Sequence, residues 1–186
     1  LPHTRPGGRM NILISSIGRR GYIAKWFRDA LQCRSTGGLV YAADASPHAP
    51  GLADADKSII LPPFTAGEYL NTLKAVLADN NIHLALSVND HELTIWARTR
   101  EHLSESGARL ISLPETTQSL VADKYATAQS LNALGIPSPR TILAADYMDD
   151  PTSADGLNEV VLKHRFGSGS IGIHTCRVAD LPGLMP

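Results

Sequence analysis

The feature that most constrains the fold of this chain is the regular alternation, over residues 10–112, of short apolar runs with longer segments of helical spacing. The runs have the length of buried strands, and the segments between them place apolar side chains on one helical face. Strands separated by helices pair in parallel and are covered on both faces. The pattern predicts a doubly wound parallel sheet of the α/β class, with strands near 10–17, 38–44, 57–63, 83–88 and 108–112 and helices near 21–33, 67–81 and 90–107.

The first of these helices illustrates how the buried face is predicted. Apolar residues recur at helical spacing along it, so one side of the helix is expected to face the sheet. The residues predicted on that side are Ile23, Trp26, Phe27, Ala30 and Leu31.

The pattern changes at Leu113-Pro114, where the alternation of strands and helices ends. The segments predicted after it are two helices (114–124 and 125–135), a strand near 140–143, an acidic surface loop (146–156) and a hairpin with a glycine-rich loop (158–178). A lone hairpin is only marginally stable, and the last residues begin like a helix and then break off, so this α+β unit is expected to be incomplete. The predicted divisions are a tag or disordered arm (1–9), the α/β domain (10–113) and the incomplete unit (114–186).

The composition narrows the possible functions. The formal net charge is −1 at pH 7, which predicts no general attraction to nucleic acid or to an anionic membrane. No apolar run approaches the roughly 20 residues that span a bilayer, and the polar start "LPHTRPGG" does not resemble a signal peptide. Cys33 and Cys176 lie far apart and have no metal-ligand spacing. We therefore expect a reduced, cytoplasmic protein.

The segment "KHRFGSGSIG", residues 163–172, has the chemistry of a phosphate-binding loop. Glycines allow the backbone to approach a ligand closely, and backbone N–H groups donate to phosphate oxygens. Lys163 adds positive charge at the start of the loop. The spacing is not that of a Walker A loop, because the lysine precedes the glycines. The alternative interpretation is a flexible hairpin whose glycines only relieve strain.

Three motifs in order resemble those of the ATP-grasp superfamily, and more narrowly of the carbamoyl-phosphate-synthase-large-chain type. They are Asp123-Lys124, the turn "GIPSP" at 135–139, and the glycine-rich segment 163–172. The resemblance covers residues 10–178. It implies a Rossmann-like pre-ATP-grasp domain followed by the first part of an ATP-grasp module. His164 departs from the family pattern, which usually has proline there.

The resemblance also implies roles for individual residues. Lys124 and Lys163 would contact the phosphates of ATP, although Lys124 by itself would be interpreted as a solvated helix lysine. The mobile lid over the phosphates would consist of Gly167, Ser168, Gly169, Ser170 and Gly172. The activity implied is that of an ATP-dependent carboxylate–amine ligase, which forms an acyl phosphate from an unknown carboxylate before an unknown amine attacks it.

Members of this superfamily carry their magnesium ligands, Glu and Asn side chains, in a second lobe. Beyond Ile173 this sequence contains neither residue type. We therefore expect the chain to be the front part of a longer enzyme, to need that lobe for Mg²⁺, and to be inactive alone. Its exposed apolar surface is expected to meet either the missing C-terminal lobe or a second copy of the chain.

Three strand ends in the α/β domain are candidate substrate contacts, because ligands bind at the carboxyl ends of parallel strands. The first is the turn with Gly18, Arg19 and Arg20, whose arginines are suited to an anion; the alternative is a solvated turn. Asp44, the second, is equally typical of a loop or helix cap. Asp90, the third, is also a candidate N-cap of the following helix. His91 has no second residue at a spacing that supports acid–base catalysis.

Two other functions remain open from the sequence. "SSIGRRG" is a damaged G-x-G-x-x-G, and Asp44 follows Gly21 by about twenty residues, as in an NAD-binding domain of an oxidoreductase. The first glycine is absent, however, and that interpretation leaves the loop at 163–172 unexplained. The second of these alternatives is a non-catalytic interaction subunit derived from an ATP-grasp protein.

Overall fold

The computed structural model describes residues 8–34 and 37–184. Most of the arm predicted at 1–9 lies outside the described residues. The chain divides into two compact units, with the boundary between Glu115 and Thr116. Within the described ranges, no helix is long and apolar enough to cross a membrane.

The first unit is built on a five-stranded sheet whose pairs are all parallel, in the order β3-β2-β1-β4-β5. The strands are β1 (Asn11–Ser15), β2 (Val40–Asp44), β3 (Lys57–Ile60), β4 (Ile82–Ser87) and β5 (Arg109–Ile111). The helices are α1 (Gly21–Cys33), α2 (Tyr69–Asp79), α3 (Asp90–Arg98) and α4 (Arg100–Ser104), with a 3₁₀ helix at Pro50–Asp54. This arrangement confirms the predicted α/β fold. The strand order reverses between β1 and β4, which makes that pair the topological switch point.

The core lies on both faces of this sheet because successive side chains of a strand point in opposite directions. Leu13 of β1 belongs to one buried cluster together with Leu73 and Leu77 of α2. Ile12 and Ile14 belong to the other cluster, with Ala24 and Leu31 of α1. Helices therefore cover the central strands on both faces, and only the strand ends are available for ligands.

Two predictions about the helices of this unit are wrong in detail. The single helix predicted at 90–107 is interrupted at Thr99, whose hydroxyl donates to the carbonyl of Ile95 at 2.9 Å; such side-chain bonding competes with regular helix. The buried face predicted for α1 included Trp26 and Ala30, but both are exposed, Trp26 by 65%. The prediction holds for Leu31, which is buried, and Ile23 and Phe27 are partly buried; Gly21 and Ala24 are buried as well.

The second unit contains an antiparallel pair of strands, β6 (Glu159–Leu162) and β7 (His174–Arg177), joined by the glycine-rich loop. Its helices are α5 (Glu115–Ala122), α6 (Lys124–Ala133) and α7 (Ala144–Asp149), with 3₁₀ helices at Pro151–Ala154 and Val178–Gly183. The predicted helix pair is present, and the predicted hairpin is confirmed with shorter strands.

The connection between α6 and β6 differs from the prediction. Residues 140–143 form no strand, and most of the segment predicted as a loop at 146–156 is helical. Arg140 explains the first difference, since its guanidinium donates to the carbonyls of Ser153 and Asp155 and holds this segment by side-chain bonds instead of a strand ladder. The Asp150 carboxylate explains part of the second, because it accepts from the Thr152 N–H at 3.0 Å and starts the 3₁₀ helix.

Candidate functional sites

The turn after β1 is one side of a crevice at the switch point of the first unit. Ser16 and Gly18 both have left-handed backbone, with φ of 54° and 52°. The Gly18 carbonyl accepts from the Gly51 N–H at 2.8 Å. A Cβ on Gly51 would lie 2.6 Å from the Ile17 side chain and 2.9 Å from the Gly18 carbonyl oxygen. This close packing fixes the conformation of the turn that carries Arg19 and Arg20.

Asp44, at the end of β2, is already engaged by the backbone. Its Oδ2 accepts from the Gly18 N–H at 2.8 Å, and its Oδ1 accepts from the Ser46 N–H at 2.9 Å. Both carboxylate oxygens therefore tie the loop after β2 to the turn after β1. This geometry is that of a loop aspartate, the alternative interpretation drawn from the sequence.

The two arginines of the turn are exposed at the start of α1. Arg20 extends toward the end of β4, where its Nη1 lies 3.4 Å from the carbonyl oxygen of Val88. The crevice is thus bordered by the turn after β1 on one side and by the residues after β4 on the other. Positive charge at a helix start is suited to an anionic ligand.

The residues after β4 correct one prediction. Asn89, and not Asp90, caps α3: its Oδ1 accepts from the N–H groups of His91 and Glu92 at 2.9 and 3.2 Å. Asp90 is the first residue of the helix and is exposed to solvent. The ring of His91 stacks on Phe64, with centroids 6.3 Å apart.

Beneath these loops lies a buried polar cluster that the sequence pattern did not indicate. Glu92 is 2% exposed, and its carboxylate accepts hydrogen bonds from Ser15, Ser87 and Tyr69. Trp96 in turn donates to the Tyr69 hydroxyl oxygen at 2.9 Å. Burial and the neighbouring carboxylate raise the pKa of Tyr69 above its usual value, so the phenol stays protonated and donates.

In the second unit, Lys124 and Lys163 line one cavity of about 670 Å³. Its walls also include Tyr125, Tyr147, Val160 and Leu162. A cavity of this size lies within the range of roughly 300–1,000 Å³ that small-molecule sites occupy. The lining of the cavity combines two lysines with aromatic and aliphatic residues, which is suitable for a ligand with an anionic end and a flat apolar end.

The helix that carries Lys124 is fixed to the loop by Asp123 and Arg165. Asp123 caps α6 by accepting from the N–H groups of Tyr125 and Ala126 at 3.0 and 3.1 Å. The Arg165 guanidinium donates to both oxygens of the same carboxylate, and it lies over the rings of Tyr125 and Phe166. The hydrogen bonds from Arg165 are the largest cause lowering the pKa of Asp123 to about 2. Arg165 lies within the glycine-rich segment 163–172, but no role for it was predicted from the sequence.

Lys124 also contacts the glycine-rich loop directly. Its ammonium donates to the carbonyl of Gly167, and its backbone N–H donates to the carbonyl of Arg165 at 3.3 Å. Gly169, Ser170 and Gly172 have φ of 65°, 60° and 68°, which is the left-handed conformation that glycine adopts readily. The structure therefore brings together Lys124, Lys163 and the start of the loop.

The imidazole of His164 lies against Gly172 across the loop. A Cβ on Gly172 would be 2.5 Å from the His164 Nε2, so no larger residue fits there while the ring stays in place. The histidine that departs from the family pattern is thus part of the packing of the loop.

Within residues 8–34 and 37–184, no group of three or more His, Cys, Asp and Glu side chains is arranged to hold a metal ion.

The candidate residues of the first unit all lie at the carboxyl edge of its sheet. They are Gly18, Arg19, Arg20, Asp44 and Asp90.

Comparison with known proteins gives a family match for the first unit and a set of similar folds. A family model described as the PylC-like N-terminal domain matches residues 12–111. No curated protein matches the sequence significantly.

Three solved structures illustrate the similar folds. N5-carboxyaminoimidazole synthetase from Staphylococcus aureus is 17% identical, with a TM-score of 0.60 over 94% of this chain and 42% of that one. The biotin carboxylase domain of Hydrogenobacter thermophilus 2-oxoglutarate carboxylase, solved with MgADP, ADP and bicarbonate, is 17% identical, with a TM-score of 0.63 over 93% and 39%. A pyruvate carboxylase from Rhizobium etli is 19% identical, with a TM-score of 0.63 over 94% and 16%. These identities show a shared fold, and the chain spans about two-fifths of the length of the first two proteins.

Proposed function

The chain belongs to the family of PylC-like N-terminal domains, whose model matches more than half of it, and from this premise we propose that it is the N-terminal region of an ATP-dependent carboxylate–amine ligase. The resemblance to the N-terminal region of ATP-grasp proteins, predicted from the sequence, is confirmed by this family and by the shared fold. In this proposal the first unit is the pre-ATP-grasp domain, and the second is the first part of the ATP-grasp module.

The observation that carries the nucleotide proposal is the shared cavity of Lys124 and Lys163. These lysines are far apart in sequence, yet both line the same space of about 670 Å³. Ammonium groups bind phosphate oxygens as compact positive charges, and the apolar walls at Val160 and Leu162 are suited to a purine ring. Phosphates of ATP would contact both lysines, with the ring lying toward the aliphatic wall.

This proposal gives a role to Lys124, to Arg165 and to the backbone of the glycine-rich loop. Lys124 exchanges the carbonyl of Gly167 for a phosphate oxygen, which frees the loop to move over the nucleotide. The N–H groups of residues 167–172 then donate to the phosphates. Arg165 stays bound to Asp123 and keeps the start of α6 in position. Magnesium, bound in the longer protein, would neutralise phosphate charge, and the residues described here serve only to bind and orient the nucleotide.

The crevice of the first unit is the proposed site for the carboxylate substrate. Arg19 and Arg20 are exposed at its border and can pair with a carboxylate. Asp44 has less support as a substrate contact, since both its oxygens accept backbone hydrogen bonds. The same engagement argues against the NAD-binding alternative, in which this acid would bind a ribose hydroxyl. Asp90 is exposed and remains a proposed contact for a polar group of the substrate.

Equilibrium binding to the 186-residue chain tests the proposal. Titration calorimetry is carried out with ATP, ADP and NAD, each as a separate ligand. ATP and ADP are each expected to bind saturably and to compete with each other for the same site. Saturable binding of NAD with none of ATP would overturn the proposal in favour of the oxidoreductase alternative.

The activity is tested separately by ADP release against a panel of carboxylates and amines. The expectation that this chain alone is inactive stays a prediction. Activity that arises only after a separate C-terminal lobe is added would support a divided ATP-grasp site. A chain that binds neither nucleotide nor such a lobe, while circular dichroism shows it folded, would favour the non-catalytic interaction subunit.

A further inference from the structure

Glu92 is a fully buried acid that the proposed function does not use. It is 2% exposed, and of the ion pairs found in the described part of the chain none involves it. A buried carboxylate is costly unless hydrogen bonds compensate the loss of water. An acid at this position therefore calls for a physical role beyond packing.

Three hydroxyl groups from three different elements compensate this carboxylate. Ser15 Oγ donates to Oε1 at 2.7 Å, Tyr69 OH donates to the same oxygen, and Ser87 Oγ donates to Oε2. Ser15 ends β1, Ser87 ends β4 and Tyr69 begins α2. A single side chain of α3 thus connects the ends of two strands with a second helix.

The two serines occupy the switch point itself. Ser15 and Ser87 are paired residues in the parallel register of β1 and β4, so the loops that follow them border the same crevice. The connection continues into those loops: the Val88 N–H donates to the Ser15 carbonyl at 3.2 Å, and the Asn89 N–H donates to Ser87 Oγ at 3.0 Å. Movement of the carboxylate would therefore alter both borders of the crevice.

We propose that Glu92 is a positioning residue, which sets the conformation of the loops at 16–20 and 88–91 by accepting hydrogen bonds from both serines. It touches no ligand itself. That these loops bind a substrate rests on the proposed function, whereas their ordering by Glu92 depends only on the contacts within the first unit.

The variant Glu92→Gln tests the role with little change of shape. An amide presents one acceptor oxygen and one NH₂ donor, so it cannot accept from hydroxyl groups on both sides. One serine loses its acceptor, and the loop beyond that serine is expected to loosen. The matched control is Leu77→Ala, since Leu77 is fully buried in the same unit, on α2 two turns beyond Tyr69.

Amide hydrogen exchange of the whole chain, measured without nucleotide, separates local from global effects. We expect Glu92→Gln to raise exchange by about tenfold in at least one of the two loops, 16–20 or 88–91, relative to the rest of the sheet, which is the effect of losing one buried hydrogen bond. Leu77→Ala is expected to raise exchange throughout the unit without favouring these loops. Identical patterns in the two variants, or no change in either loop, would overturn the proposal.

Two further variants keep the test decisive if Glu92→Gln does not fold. Ser15→Ala is expected to loosen mainly 16–20, and Ser87→Ala mainly 88–91, because each removes one donor. A spectroscopic readout complements them: with Trp26→Phe as background, the indole N–H resonance of Trp96 reports on the chain of bonds through Tyr69. It is expected to shift further in Glu92→Gln than in Leu77→Ala, which leaves the hydrogen-bond partners of Tyr69 in place. An unshifted resonance would contradict the proposal, and failure of nucleotide binding would leave all these results unaffected.

Discussion

The Arg165 guanidinium donates to both carboxylate oxygens of Asp123, with the bonds from Nε to Oδ1 at 2.9 Å and from Nη2 to Oδ2 at 2.6 Å lying side by side. The same carboxylate caps α6, so one ion pair fixes both the start of the helix and the start of the glycine-rich loop. Lys124 follows Asp123 directly and has its ammonium on the loop carbonyl of Gly167. The position of the proposed phosphate-binding lysine therefore depends on a neighbouring acid and a residue 42 positions away.

Replacing Arg165 should weaken this arrangement even when the positive charge is retained. In Arg165→Lys a single ammonium cannot reproduce the two parallel bonds, and we expect the exchange protection of the α6 amides to fall. Hydrogen exchange measures this loss. The control is Arg177→Ala, whose partner Asp180 is three residues away and whose side chain is 73% exposed; an exposed ion pair of this kind contributes little, so this variant should leave the protection of α6 unchanged. Equal effects of the two variants would contradict the role of Arg165.

The same ion pair predicts a dependence on pH. The pKa of Asp123 is lowered to about 2, chiefly by the hydrogen bonds from Arg165, whereas an aspartate in an unfolded chain has a pKa of about 3.9. A lowered pKa means that the stabilisation is fully present above the unfolded value and is lost as the pH falls toward 2. Protection of α6 should decline over this interval.

NMR titration of the Asp123 carboxyl carbon checks the assignment. In Arg165→Ala the midpoint should move up toward the usual value for aspartate, because the largest cause of the lowered pKa is removed. A midpoint that does not move would show that the helix N-terminus alone lowers the pKa.

Lys163→Ala should greatly weaken ATP binding. Loss of a charged contact to phosphate costs roughly 1.5–3 kcal/mol, which corresponds to about a tenfold to hundredfold increase in Kd. Calorimetric titration of ATP gives the value, with Lys57→Ala as a control, since Lys57 is an exposed lysine of β3 in the first unit. Unchanged affinity in Lys163→Ala would remove Lys163 from the nucleotide site.

The loop at 166–172 should be the most mobile of the described segments before nucleotide is added. Phe166 and Ile171 are 59% and 77% exposed, and the loop has few contacts apart from those of Lys124 and His164. Backbone order parameters should fall below about 0.6 for 168–171 and rise when ATP is bound. Uniformly high values without nucleotide would argue against a lid.

The parts of this structure that could be predicted are those with a local signal. The apolar runs at 10–17 and 38–44 gave β1 and β2, because burial of a strand needs only its own residues to be apolar. Arg140 and Glu92 could not be interpreted in the same way. Arg140 prevents a strand by donating to carbonyls 13 and 15 residues away. Glu92 can be buried because hydroxyl groups compensate its carboxylate, and one of these donors, Ser15, lies 77 residues before it in the sequence.

The candidate sites follow the same rule. Lys124 and Lys163 were identified by motif, and the structure adds that they line one cavity. The sequence suggested Asp90 as a candidate cap of α3, and its neighbour Asn89 is an equally good capping residue type. Backbone geometry decides between them, because Asn89 has the extended conformation of an N-cap.

Gly172→Ala should disturb the loop more than the same change at Gly169. Both glycines have positive φ, 68° and 65°, so alanine costs about 1–2 kcal/mol at either position. At Gly169 nothing lies within 4 Å of the added Cβ, whereas at Gly172 it would meet the His164 ring at 2.5 Å. The difference between the two variants therefore measures the packing of His164. Exchange protection of the β6 and β7 amides should fall further in Gly172→Ala, and in a His164→Ala background the two glycine variants should become equal. If they remain different without the imidazole, the histidine does not hold the loop, and the requirement for glycine at 172 comes from the backbone alone.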